Sequence, residues 1–305
     1  MSDLPSFSII IPTYQRPFEL VRCLKAIESL NYPKEKFEVI VVDDGSGLEE
    51  KLLCPFCINL NLILLHQENF GPATARNHGA RLAKNDYLAF TDDDCEPDAD
   101  WLIKFAEQIK ASPKHLLGGK ITNALESNIY STASQMLVSY FHKYSEQFNP
   151  NFAFFTTNNM VLLRSKFLSL GGFDESFIRA AAEDRDFSSR WQESNHKMFF
   201  LESAIVRHSH NLSWKSFLRQ HFDYGRGACH FYTLRKIRRK QRIKIEPLSF
   251  YTGMFYFPFL SNSIFRASQI SLLFFIVQCA NSCGYLREYI SILKLPIQRK
   301  KQQED

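Results

Sequence analysis

Three consecutive carboxylates, Asp92, Asp93 and Asp94, follow the apolar run YLAF and Thr91 and precede Cys95-Glu96-Pro97. Adjacent like charges repel, so a divalent cation that neutralises them is the natural compensation. The alternate pair Asp92 and Asp94 can share a hard metal with a diphosphate, with Asp93 beside them. The D-x-D here lacks the glycine and distal glutamate of a calcium loop, which excludes that reading, and an acidic turn or helix cap is the plainer alternative. A second acidic strand end, Asp43-Asp44-Gly45-Ser46, closes VIVV, and Pro12-Thr13-Tyr14 closes an earlier apolar run. An aspartate there can accept a hydrogen bond from a base N–H while Tyr14 offers a face to stack on it, so a nucleotide is a plausible occupant. Asn69-x-Gly71-Pro72-Ala73 opens a helix whose N-terminus suits an anion such as a phosphate, together with Arg76. Glu183-Asp184-x-Asp186 starts another helix, where the helix dipole keeps a general base ionised near neutral pH. His208 and His210, two apart on a strand, share a face, and one of them could complete a metal's coordination.

Such residues act together only if a scaffold gathers them. FSIII (7–11) and FEVIVV (37–42) are short, β-branched and almost wholly apolar, as strands covered on both faces are. Between them, Leu20, Cys23, Leu24, Ile27 and Leu30 recur at helical spacing, giving a βαβ unit. NLILLH (61–66), a helix through 74–84 and YLAFT (87–91) continue the alternation, so the three motif-bearing strand ends fall on one edge of one sheet. In open α/β sheets that carboxyl edge is where ligands bind. No G-x-G-x-x-G or G-x-x-x-x-G-K-[ST] follows any of these strands, which argues against a dinucleotide fold or a P-loop enzyme. Past Leu116 the pattern predicts a helix over 129–147, a Gly171-Gly172 turn, a helix over 183–195 and one or two strands in KMFFLESAIVRH.

The chain has 305 residues, 45% of them hydrophobic and 23% charged, with a net charge of +5, which excludes collagen-like and disordered classes. The seven cysteines read as reduced thiols, and the lone C-x-x-C of Cys54 and Cys57 as two buried thiols beside a loop, since no second pair follows at zinc spacing. The start MSDLPSFS has neither a basic n-region nor an apolar h-region, so the expected location is cytoplasmic. From Arg219 to Lys244 nine cations face the single anion Asp223, and two apolar stretches follow, 248–260 and 270–280. Each is shorter than the roughly 18–20 residues of a spanning helix, so the expectation for 214–290 is a helix pair on the cytoplasmic face of a membrane, with a C-terminal packing hairpin as the alternative. Nucleic acid is not expected as a partner, because the run 235–244 has no aromatic residue for base stacking.

Taken in order, PTYQR, VVDDGS, NxGPATARN, TDDD, GGFDE, ED-x-DF and the strand-borne histidine resemble the family 2 glycosyltransferases of GT-A fold over roughly residues 7–227. The resemblance implies an α/β fold with a mostly parallel sheet flanked by helices. It implies a catalytic domain over 1–213 (nucleotide-binding half about 1–115, acceptor-binding half about 116–213) and a basic, apolar extension over 214–305. It further implies transfer of a sugar from a nucleotide-sugar to an acceptor hydroxyl with inversion, aided by Mg²⁺ or Mn²⁺, the acceptor being a glycan or lipid-linked intermediate. By position, Pro12, Thr13, Tyr14, Asp43, Asp44 and Arg76 would hold the nucleotide, and Asp92, Asp93 and Asp94 the diphosphate and metal. Asp184 would be the base with Glu183 its neighbour, and His208 a metal ligand. A sugar nucleotidyltransferase would carry a glycine-rich first loop, which PTYQRP lacks. A binding module without turnover would be expected to have lost one of these carboxylates, and none is missing.

Overall fold

Alternation along the strands explains how the chain builds a three-layered body. The computed structural model describes residues 4–148, 154–179, 181–239 and 246–301. Its eight strands are β1 (Phe7–Thr13), β2 (Phe37–Asp44), β3 (Leu62–Gln67), β4 (Tyr87–Phe90), β5 (Cys95–Pro97), β6 (Leu116–Asn123), β7 (Met160–Leu163) and β8 (Met198–His208), in the sheet order β3-β2-β1-β4-β7-β6-β8-β5. On β1, Ile9 and Ile11 face the helices α1 (Pro17–Glu28) and α3 (Trp101–Ala111), while Ile10 faces the opposite layer with α2 (Pro72–Leu82), α5 (Arg164–Ser169) and α6 (Glu183–Glu193). Val39 and Val41 likewise join one core, and Ile40 and Val42 the other. Side chains two apart point to the same face, so a strand apolar at every position is sandwiched on both.

The sheet is mixed. β1, β2, β3 and β4 pair in parallel, as do β6 and β8, whereas β7 runs antiparallel to both β4 and β6, and β5 antiparallel to β8. The chain leaves β1 for β2 on one side and later returns to β4 on the other, which makes the carboxyl end of β1 a topological switch point.

Two compact units emerge. The first holds the sheet and comprises residues 1–125, 151–178 and 184–210. The second comprises 126–150, 179–183 and 211–305, with α4 (Ile129–Phe148), α7 (Trp214–Arg239), α8 (Leu248–Tyr256) and α9 (Ile264–Lys301). Within it Asn128 caps α4, its Oδ1 accepting the N–H groups of Tyr130 at 3.0 Å and Ser131 at 3.1 Å. α7 and α9 touch backbone to backbone: a Cβ on Gly225 would lie 2.0 Å from the Asn281 carbonyl oxygen, and one on Gly284 1.9 Å from that of Phe222.

Two expectations change, and part of a third falls outside the described residues. The apolar stretch at 270–280 is the middle of one continuous helix, α9, because polar Ser268, Gln269, Asn281 and Ser282 extend the helix without breaking it. Its segment Ile264–Leu293 is long and apolar enough to cross a membrane by length and composition. Cys54 and Cys57 are exposed, since short 3₁₀ turns at 50–52 and 56–58 turn them outward. Of the basic run, Lys240, Arg242 and Lys244 lie outside the described residues.

Candidate functional site

The ends of β1 and β4 lie side by side, since the two strands pair in parallel from Phe7 opposite Tyr87 to Ile10 opposite Phe90. Thr13 Oγ1 therefore reaches across to donate to Asp93 Oδ2 at 2.8 Å. Arg16, at the start of α1, spans the next two carboxylates, with Nη1 3.3 Å from Asp93 and 2.9 Å from Asp94. On the far side of Asp94, Oδ1 lies 3.2 Å from His208 Nε2, because β5 pairs with β8 and sets Cys95 opposite His208. The His210 ring stacks on His208 with centroids 5.0 Å apart. Asp92 turns to Arg76, whose Nη2 lies 2.6 Å from its Oδ1. Of the three carboxylates of TDDD, Asp93 and Asp94 thus share Arg16, while Asp92 pairs with Arg76.

Electrostatics follow from burial. Asp93 is pushed up to about 7, mainly by desolvation, which Arg16 only partly offsets. Burial would raise Asp94 too, but His208 and then Arg16 hold it well below the usual carboxylate range. Burial alone would lower the His208 pKa, and Asp94 overrides it, so the net shift is upward. His210 is pushed down to about 4 by burial and by the neighbouring His208. Asp94 and His208 present oxygen and nitrogen donors on one side, a mixed set that fits a divalent ion such as Mn²⁺. Cys95 Sγ belongs to the same cluster, but burial raises its pKa well above the usual thiol range, so it stays a protonated core residue.

The other acidic end serves its own loops. Asp43, fully enclosed, accepts the Ser46 N–H at 3.0 Å, the Ser46 hydroxyl and the Leu48 N–H at 2.9 Å, with His66 Nδ1 at 3.2 Å. Asp44 accepts from Gln67 Nε2 at 2.8 Å and from the N–H groups of Phe70 at 3.0 Å and Gly71 at 2.9 Å. Two carboxylates that read from sequence as nucleotide acceptors therefore fix the loop after β2 and the segment that opens α2. Tyr14 is exposed and available for stacking, with Pro12 half-buried below it. Arg76 is buried, so its anion is Asp92 of the same chain.

Asp184 is half-buried in the first turn of α6, and its Oδ1 accepts the Arg185 N–H at 2.7 Å. Buried Glu183 precedes it and follows Ala182, a non-glycine residue at φ 72°. Such backbone strain is held in place by surrounding structure and clusters at functional sites. α6 is anchored through Asp186, which pairs with Arg190 at 2.8 Å, while Arg190 donates to the Leu170 and Gly172 carbonyls. The same turn is clamped by Asn77 of α2, which accepts the Phe173 N–H at 2.9 Å and donates to the Phe173 carbonyl at 2.8 Å. GGFDE is thus a joint between α2 and α6. Sequence reasoning left Arg16 without a role although it stands in PTYQR; its contacts depend on β1 and β4 being neighbours, which its own segment does not reveal.

Known proteins resemble this chain in sequence and in fold. Glycosyltransferase AglE of Haloferax volcanii is 28% identical over 240 residues, covering 77% of this chain and 77% of that protein. Among solved structures, the mannosyltransferase PcManGT from Pyrobaculum calidifontis, in complex with GDP-Man and Mn²⁺, superposes with a TM-score of 0.67 at 15% identity, over 94% of this chain and 87% of its own. Residues 1–349 of Staphylococcus aureus TarS with UDP-GlcNAc give a TM-score of 0.53 at 15% identity, over 92% and 89%. At these identities the structures establish a shared fold. The family model for glycosyl transferase family 2 matches residues 8–171, more than half of the chain, and the chain belongs to that family.

Proposed function

We propose that the protein transfers a sugar from a nucleoside-diphosphate sugar to an acceptor hydroxyl with inversion, using a divalent cation held by Asp94 and His208. The observation that carries this reading is the Asp94–His208 pair, 3.2 Å apart, at the end of a three-carboxylate run beside the switch point. Arg16 stands on the other oxygen of Asp94, so a cation already balances that carboxylate. A bound Mn²⁺ or Mg²⁺ would offset charge on the departing diphosphate. Tyr14 supplies a ring for the base, and Asp43 and Asp44 hold the loops around it. Arg76 positions Asp92. Asp184 takes the acceptor proton as the acceptor oxygen forms its bond to the anomeric carbon; the bond from that carbon to the diphosphate oxygen breaks, and its electrons leave with the nucleoside diphosphate.

The acceptor in this reading is a glycan or a lipid-linked glycan in cell-surface polysaccharide assembly. Relatives that act in such pathways support it, among them a protein named for amylovoran biosynthesis in Erwinia amylovora, 25% identical over 219 residues. None of the seven cysteines is in a disulfide, which fits a reaction on the cytoplasmic side. The test is release of nucleoside diphosphate from UDP-, GDP- and dTDP-sugars with and without Mn²⁺. Metal-dependent release from one donor class, abolished by Asp184→Asn, is the expected outcome. No release from any donor, or release indifferent to Asp184, would sink the reading.

A further inference from the structure

We infer that the second unit docks on an anionic lipid bilayer through the turn between α8 and α9 and the outward face of α9. The sequence is divided by charge: residues 1–210 carry 21 Lys and Arg against 27 Asp and Glu, a net of −6, whereas 211–305 carry 16 against 5, a net of +11. Inside that basic half lies a stretch almost free of charge. From Pro247 to Leu286 the single ionisable residue of the Lys, Arg, Asp and Glu types is Arg266, and cations cluster on both sides, in 235–244 and from Arg287 onward.

Folding leaves one side of this neutral stretch exposed. α8 returns along α9: Ser271 Oγ donates to the Phe255 carbonyl at 2.7 Å, and Gln278 reaches Met254 Sδ at 3.5 Å. The turn between them presents Tyr256, Leu260, Ile264 and Phe265, the last two 80% and 76% exposed. Arg266 does not interrupt the surface, because its Nη2 donates to the Glu126 carbonyl at the approach to α4. Along α9, Leu272, Leu286, Ile290 and Leu293 continue the exposed face, whereas Ala267, Ile270, Phe274 and Val277 are buried. The spacing is that of one helical stripe facing out and another facing in.

The occupant follows from charge and shape. An exposed apolar face flanked along the chain by cations matches an interface whose core is hydrocarbon and whose rim is phosphate, each nearby Lys or Arg adding attraction to anionic lipid. Lys236 and Arg238, on α7, and Arg287, on α9, are exposed. Docking is shallow and lateral rather than spanning. Along 281–288, α9 is held against α7 by the Gly225 and Gly284 contacts and by the Arg226–Glu288 ion pair at 2.7 Å. A bilayer-crossing α9 would draw those charges of α7 into hydrocarbon, which is costly.

The test is flotation of the full chain with vesicles of phosphatidylcholine alone or with about a third phosphatidylglycerol. Expected are binding to the anionic vesicles, weakened by salt, and a loss of about tenfold or more in partition for Leu260→Asp and Phe265→Asp. Both positions are exposed, and unchanged circular dichroism and melting check that the variants fold. Release of nucleoside diphosphate in solution, from a soluble donor, is expected to be unchanged in both, which separates this inference from the proposed reaction. Wild-type protein that stays with the unbound fraction, or binding that ignores both variants, would overturn it. So would a wild-type dimer in light scattering that the two variants convert to monomer without any vesicle binding, since a second copy would then be the occupant.

Discussion

Asp184 and Asp94 separate two kinds of loss. In the proposed reaction, replacing Asp184 by Asn removes the proton acceptor and its charge while keeping the side chain's shape and leaving Asp92, Asp93 and Asp94 in place, so turnover is expected to fall by ~10²–10⁴-fold with nucleotide affinity retained, as rate assays beside calorimetry would show. Asp94→Asn leaves His208 and Arg16 without their shared carboxylate and, in the proposed reading, removes a metal ligand. Its expected signature is a raised Mn²⁺ requirement, read from the metal concentration that gives half-maximal rate. Asp43 gives a pH-dependent stability term. Burial opposes its ionisation, yet the Ser46 hydroxyl, the Leu48 and Ser46 N–H groups and His66 together lower its pKa in the fold. A carboxylate with a depressed folded pKa stabilises above its unfolded value, about 3.9, and loses that contribution as pH falls through the folded value. Asp43→Asn should therefore cost about 1–3 kcal/mol at pH 7, and the denaturation midpoints of variant and wild type should converge as the medium becomes more acid than pH ~4. Here the sequence was legible as type but not as task. DDGS announces buried carboxylates at a strand end, yet their partners are backbone N–H groups of loops whose course no local pattern gives.

Elements place these residues through a few joints, and the Gly171-Gly172 turn is one that can be probed. Both glycines have positive φ, 79° and 68°. A Cβ on Gly171 meets nothing within 4 Å, whereas one on Gly172 would stand 2.5 Å from Asn77 Oδ1, the atom that accepts the Phe173 N–H. Gly171→Ala should cost about 1–2 kcal/mol from the left-handed backbone alone. Gly172→Ala should cost about 1–3 kcal/mol more through the broken clamp, and with it activity, since α6 carries Asp184; melting curves and rates of the two variants make the comparison. The strands and helices of the first hundred residues could be read in advance because strands buried on both faces and amphipathic helices leave strong periodic signals. The three-residue β5 could not, although it brings Asp94 to His208, because its pairing with β8 is set by a partner more than a hundred residues away. α9 was hidden differently: a helix apolar toward both its neighbours and its surroundings has little periodicity to show.

The whole molecule answers to ligands as well as to mutations. If the family's chemistry operates through Asp94 and His208, one nucleotide class at 100 times its Kd with Mn²⁺ should stabilise the fold by ~2.7 kcal/mol, and chelation of the metal should erase most of that shift in a thermal melt. The interleaving of the two units has a further consequence, for the order in which the chain is made. β6 (Leu116–Asn123) emerges about 80 residues before its parallel partner β8 (Met198–His208), and α4, which belongs with α7, α8 and α9, is synthesised between them. At translation rates of roughly 5–20 residues per second, the LLGG edge of β6 waits about 4–16 s for that partner. During that interval a nascent chain carries an unpaired, apolar strand edge, so holding chaperones should engage ribosome-bound lengths that end before β8 and release those that include it.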